Sequence, residues 1–139
     1  MAETRVGEAR FSLLLHGDEL PMEQIEAALE LKATRTLRKG EVINRLPLIE
    51  ATADEWTHSI SLTAPETTDA GLNQLLAHLT ARKAVLAQLQ EKYNVELRMY
   101  VQSDYAQMAY SLMPETLAKL AELALPLSVS SLSWGEFAL

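Results

Sequence analysis

The chain has 139 residues, 12 basic and 19 acidic side chains, a formal charge of −7 and 48% apolar residues. A chain of this length hides roughly two-thirds of the surface its unfolded form exposes, which supports one core and excludes two, so a single domain spanning 1–139 and ordered over about 10–137 is expected. Cysteine is absent, which excludes disulfides, thiolate metal sites and a cysteine nucleophile, and the acidic balance disfavours nucleic acid and anionic membrane surfaces as partners.

In chain order, residues 10–16 (RFSLLLH) set Phe11, Leu13 and Leu15 against Arg10, Ser12 and His16, the two-residue period of a half-buried strand. Gly17 and Asp18 end it. Pro21 opens a short helix in which Met22, Ile25, Ala28 and Leu29 share one face while Glu23, Glu26 and Glu30 point away. Residues 32–41 (KATRTLRKGE) hold four basic side chains and no apolar period, and read as a loop. A weak strand over 43–50 precedes WTHSISLT, where Trp56, His58, Ile60 and Leu62 alternate with Thr57, Ser59, Ser61 and Thr63.

One long helix is expected from a cap at Asp69 to about Lys92, because Leu72, Leu75, Leu76, Leu79, Leu86, Leu89 and Tyr93 fall in a single arc. Arg82 and Lys83 interrupt that arc and must either reach water along their alkyl stems or meet an acid. NVELRMYV turns Val95, Leu97, Met99 and Val101 inward, and Ser103 and Asp104 predict a hairpin turn into a strand QMAYSL at 107–112. Pro114 opens a helix with Leu117, Leu120, Ala121 and Ala124 on one face, and Pro126 closes it before the final strand LPLSVSSLSW. There the apolar phase slips between Val129 and Leu132, and a bulge at Ser130 and Ser131 accounts for it.

The resulting fold class is α+β: a ferredoxin-like βαββαβ unit preceded by an additional βα(β) unit, with helices on one face of a largely antiparallel sheet. Each helix follows a strand and a Pro, in SLLLHGDELPMEQI, SISLTAPETTDAGL and AYSLMPETLAKL. This reads either as a weak internal repeat or as ordinary proline placement at helix starts.

The strand running into GDELP and an acidic helix, the basic loop with LRKGE, the Trp opening the next strand and the late PETLAKLAELALPLSVS together resemble a bacterial family of unknown function, the domain of unknown function 4279. The resemblance spans about residues 10–137. Where other members carry Leu-Gly after the last helix, this chain has Leu123 and Ala124. The resemblance implies a bacterial source and the domain bounds; it supplies no catalytic residue.

Candidate chemistry is sparse. His16, Asp18 and Glu19 offer a nitrogen and two carboxylates, but on consecutive turn residues without the i+3 or i+4 partner a metal site uses, and acids at a helix start are favoured by its dipole alone. His58 lies in phase with Trp56, Ile60 and Leu62, which fits a buried imidazole bonded to backbone, or a general base. His78 flanks the helix stripe and is expected in water. No Ser elbow, GxGxxG, GxxxxGK[ST] or HExxH occurs, so no catalytic residue, no cofactor and no metal is assigned.

Charge layout is the least ordinary feature. Asp18, Glu19, Glu23, Glu26 and Glu30 form an acidic run, and Lys32, Arg35, Arg38, Lys39 and Arg45 follow with Glu41 as the one acid among them. These are either two solvated surfaces or functional ones, the acidic helix facing a basic protein and the basic loop gripping an anion. The hydroxyl faces Thr57, Ser59, Ser61, Thr63 and Ser128, Ser130, Ser133 are either plain strand formers or a weakly hydrated surface for self-association.

The leading expectation is therefore a non-catalytic binding module acting through protein–protein contact, immunity-like or an accessory subunit, with Asp18, Glu19, Glu23, Glu26 and Glu30 meeting a protein partner or a second copy. The alternative is a sensor recognising a small anionic metabolite through the basic loop 32–45, with Arg35, Arg38, Lys39, Arg45 and His58 as ligand-binding residues. An enzyme using His58 with Trp56 shaping a pocket ranks third. The opening MAETRVGEAR lacks the apolar segment of a secretory leader, and no run of about 18 apolar residues occurs, so a cytoplasmic protein without membrane or nucleic-acid partners is expected.

Overall fold

The computed structural model describes residues 6–63, 67–105 and 107–136. Alternation makes the long strands β1 (Glu8–Gly17), β5 (Asp54–Thr63), β6 (Asn94–Tyr105) and β7 (Leu127–Glu136), with short β2 (Arg35–Leu37), β3 (Val42–Arg45) and β4 (Leu48–Glu50) between the first two. The helices are α1 (Met22–Leu29), α2 (Thr68–Thr80), α3 (Lys83–Lys92) and α4 (Pro114–Leu123). Pro65 and the expected end of order at residue 137 lie outside the described residues.

A five-stranded sheet runs β2-β5-β1-β6-β7, and β3 and β4 form a separate two-stranded ribbon. β1 is antiparallel to both β5 and β6, so those two run parallel with β1 between them, the split βαβ of ferredoxin-like folds. The element expected to precede that unit thus occupies the middle of its sheet. The segment 107–112, expected as a strand, lies outside the sheet. The three strand–helix units also differ in geometry: β1 to β5 returns antiparallel, whereas β6 to β7 is a parallel crossover through α4.

Register aligns Leu15 with Trp56 and Val95, Leu13 with His58 and Leu97, and Phe11 with Ile60 and Met99, so one sheet face carries the core. All four helices cover it, contributing Ile25 and Leu29, Leu72, Leu75, Leu76 and Leu79, Leu86, and Leu123. No helix among the described residues is long and apolar enough to cross a membrane.

The predicted long helix is two. α2 ends at Thr80 and α3 restarts after Arg82, whose φ of −121° and ψ of 28° leave the helical range. Arg82 and Lys83 meet acids, as one of the two alternatives required: Arg82 Nη2 donates to Glu30 at 2.5 Å and Lys83 Nζ to Glu122 at 3.1 Å. Drawing two adjacent cations toward α1 and α4 is what the break accomplishes. The cap of α2 is Thr67, whose Oγ1 accepts from Ala70 N at 3.0 Å, while Asp69 instead accepts Met113 N at 2.8 Å ahead of α4.

The expected hairpin turn at Ser103 and Asp104 is absent because Ser103 is fully buried and pairs with Ser133 of β7, so β6 continues to Tyr105. β7 keeps unbroken register from Leu127 to Ser133; its irregularity falls between the pairs of Ser103 and Tyr105, not at Ser130 and Ser131. The apolar slip needs no bulge. On this edge strand Val129 lies on the helix side and Leu132 on the open side, 48% and 41% exposed. α4 is rotated from expectation: Thr116 and Leu123 are buried, whereas Leu117 is 47% exposed.

α4 ends with Ala124 at φ 53° and ψ 38°, a left-handed cap that glycine adopts without its Cβ penalty. Ala124→Gly is therefore expected to stabilise the protein by roughly 0.5–1 kcal/mol, the left-handed strain relieved less the extra chain entropy. Equilibrium urea unfolding reads this, and a loss of stability would contradict the cap assignment.

Candidate functional site

The basic loop is organised by one buried carboxylate. Asp54, the first residue of β5 and 5% exposed, accepts Leu20 N at 3.0 Å, Lys39 N at 2.8 Å and Arg38 Nη1 at 2.6 Å. The same Arg38 nitrogen donates to Leu20 O at 2.8 Å. The Lys39 N–H bond is the main influence holding the Asp54 carboxyl below its ordinary value, against burial, which acts the other way; Arg38 and Leu20 add to the lowering. The turn after β1 and the root of the β3–β4 ribbon are thereby fastened to one point.

Beyond the clasp, Gly40 at φ +91° turns the chain, Gly40 N donates to Ala51 O and Ala51 N to Glu41 O, each at 2.8 Å. Arg38 N donates to Glu41 Oε1 at 2.9 Å. These bonds close the root of a ribbon whose apolar side chains face water: Leu46 is 90% and Leu48 65% exposed, and Val42, Ile43 and Ile49 are exposed by nearly half. At the other side of the clasp stand exposed Asp18, Glu19 and Glu23.

The expected anion-binding set is not gathered. Arg38 serves Asp54, Lys39 contributes its backbone there, and Arg45 lies on the ribbon opposite Leu48. Arg35 pairs with Thr57 on the uncovered sheet face, whereas His58, one residue on, faces the helix side. His58 Nδ1 donates to Lys32 O at 2.7 Å, so the backbone bond of one of its two readings is present, but the ring is only partly buried and not enclosed as that reading had it. His78, expected in water, instead donates from Nε2 to Leu29 O at 2.9 Å and ties α2 to the end of α1.

The acidic run divides as well. Glu26 accepts Ala33 N at 2.7 Å and Glu30 pairs with Arg82, which leaves Asp18, Glu19 and Glu23 free of such roles among the described residues. Among the described residues no group of three or more His, Asp or Glu could hold a metal ion.

The family described as Domain of unknown function (DUF4279) matches residues 7–134. The chain belongs to this family. No curated protein and no solved structure matches it. Membership in DUF4279 carries no residue roles, so the site rests on geometry alone. Two of its parts escaped sequence reasoning: Asp54, whose partners lie 34, 16 and 15 residues away, and the ribbon, which reads as one weak strand. The signal for the ribbon was present in VINRLPLIE, nine residues in which five large apolar side chains surround a proline.

Proposed function

We propose that the protein is a non-catalytic binding module that engages a protein partner through the β3–β4 ribbon, with Asp18, Glu19 and Glu23 forming an acidic rim. The exposure of Val42, Ile43, Leu46, Leu48 and Ile49 together on one short ribbon is the observation that carries this reading. Scattered apolar residues on a surface are ordinary, but five exposed ones within the nine residues 42–50 of one ribbon, divided between its two faces, have the composition of a segment that enters a groove. The clasp at Asp54 supports it, since a ribbon held at its root loses less entropy on binding than a free loop. Acidic rim and net charge of −7 favour a basic partner with an apolar groove, steered in by long-range attraction. An immunity-like or accessory role is one biological form of such a module.

The test is affinity capture at low salt from a bacterial host that encodes the protein, run beside the Leu46→Ser, Leu48→Ser double variant. Both positions are solvent-exposed, so the variant is expected to keep the wild-type circular dichroism and melting temperature. The expected result is a stoichiometric basic protein held by the wild type, lost with the variant and weakened as salt rises. Equal capture by both forms, or no stoichiometric species at all, would overturn the proposal.

A further inference from the structure

The sheet face that no helix covers forms a hollow of about 580 Å³ lined by Arg10, Ser12, Arg35, Glu55, Ser59 and Arg98, among others. Register explains how it is assembled. Ser59, Ser12 and Arg98 stand in one row across β5, β1 and β6; Ser61, Arg10, Tyr100 and Ser130 stand in the next, across β5, β1, β6 and β7. On the other side Arg35 lies beside Thr57, which pairs with Leu14. Three guanidinium groups from three strands thus surround a central pair of hydroxyls, Ser12 and Ser59, 2.7 Å apart.

The three differ in availability. Arg10 lies 5.5 Å from the centre of the Tyr100 ring and holds Glu8 only at 3.4 Å. Arg98 is engaged by Glu96 at 2.7 Å. Arg35 makes no side-chain hydrogen bond or ion pair among the described residues. Glu55 also lines the hollow, and Glu8 and Glu96 pair with Arg10 and Arg98, so among the described residues the uncompensated cation of this face is Arg35; the hollow falls within the roughly 300–1,000 Å³ of small-molecule sites.

We infer that this open face is a binding site for a small oxyanion that also carries hydroxyl groups, of the chemical class of a sugar phosphate. Arg35 supplies the forked donors for the oxyanion, and Arg98, held by Glu96 through both Nε and Nη2, joins it only on exchanging that carboxylate for the ligand. Ser12, Ser59, Ser61 and Thr57 each donate and accept, which suits a polyol, and the Tyr100 ring gives its apolar side a surface. The site lies on a different face from the ribbon and stands independently of the protein-binding role.

Amide chemical shifts of the full chain, titrated separately with glucose 6-phosphate, inorganic phosphate and glucose, test this. Glucose 6-phosphate is expected to shift the amides of residues 10–14, 57–61 and 98–100 and to bind more tightly than either inorganic phosphate or glucose. Arg35→Gln is expected to weaken it by roughly tenfold or more, the size of one lost charge-assisted bond. That variant removes an exposed side chain unpaired among the described residues, so the protein remains folded and its unperturbed spectrum serves as control. Inorganic phosphate shifting the same amides as strongly would overturn the polyol part. Shifts elsewhere, none with any probe, unchanged affinity in Arg35→Gln, or a dimer in sedimentation that shields these same amides would overturn the site.

Discussion

Asp54→Ala is expected to destabilise the protein by about 2 kcal/mol, chiefly the buried Leu20 N–H left without its acceptor at roughly 1–3 kcal/mol, with Arg38 and the exposed Lys39 discounted because they regain water. Leu20 is 1% exposed, so no solvent replaces the carboxylate there. The effect carries a pH signature. Asp54 is held below its ordinary value of 3.8 in the folded protein, so its contribution is complete above that value and is lost as pH falls through the lower, folded one. Stability differences between wild type and Asp54→Ala should therefore be constant from neutral pH down to about 5 and shrink on further acidification. Urea unfolding at a series of pH values measures this. A gap that is flat down to pH 2, or that widens in acid, would remove Asp54 from the role assigned to it.

The clasp shows where sequence reading stops. Asp54 is one carboxylate among many, and its partners are two backbone amides and a guanidinium brought in from distant segments. No period or motif announces such an arrangement, since a backbone N–H is the same at every residue. The elements that were legible are those in which each residue's fate depends on its neighbours: the alternation in β1, β5 and β6, and the leucine stripe of α2 and α3. The failures are non-local. Ser103 and Asp104 have turn chemistry, but pairing with β7 draws Ser103 into the sheet. Residues 35–37 have no apolar period, yet become an edge strand because β5 offers them a ladder.

The break between α2 and α3 has the same origin. A continuous helix would satisfy local propensity, but Glu30, which caps α1, and Glu122, on α4, each pair with one of two adjacent cations. The candidate site divides along this line too. Acids and bases were visible as runs, whereas their sorting into structural members, Glu26, Glu30 and Arg38, and ones free among the described residues, Asp18, Glu19, Glu23 and Arg35, depended on which groups the fold placed within reach.

Close packing between α2 and β1 supplies the other large effect. Gly71 lies in the buried face of α2, where a methyl group would sit 2.5 Å from Cε2 of Phe11 and 2.9 Å from Cδ1 of Leu62. Phe11 is 0% exposed and stands between Ile60 and Met99 in adjacent strands, so its ring has no free volume to enter. Alanine gains about 1 kcal/mol over glycine inside a helix, but overpacking a fixed core costs roughly 1–3 kcal/mol or more. With contact this short the clash prevails, and Gly71→Ala should lose about 2 kcal/mol. Phe11→Leu, which withdraws the ring edge, should lose about 1–2 kcal/mol alone, the transfer and cavity cost of the ring carbons removed. If the ring edge is the obstacle, the double variant will be more stable than the sum of the two losses allows, with a coupling of at least about 0.5 kcal/mol. Simple additivity in urea unfolding would mean that α2 can move away from β1, and that glycine at 71 is not what sets their separation.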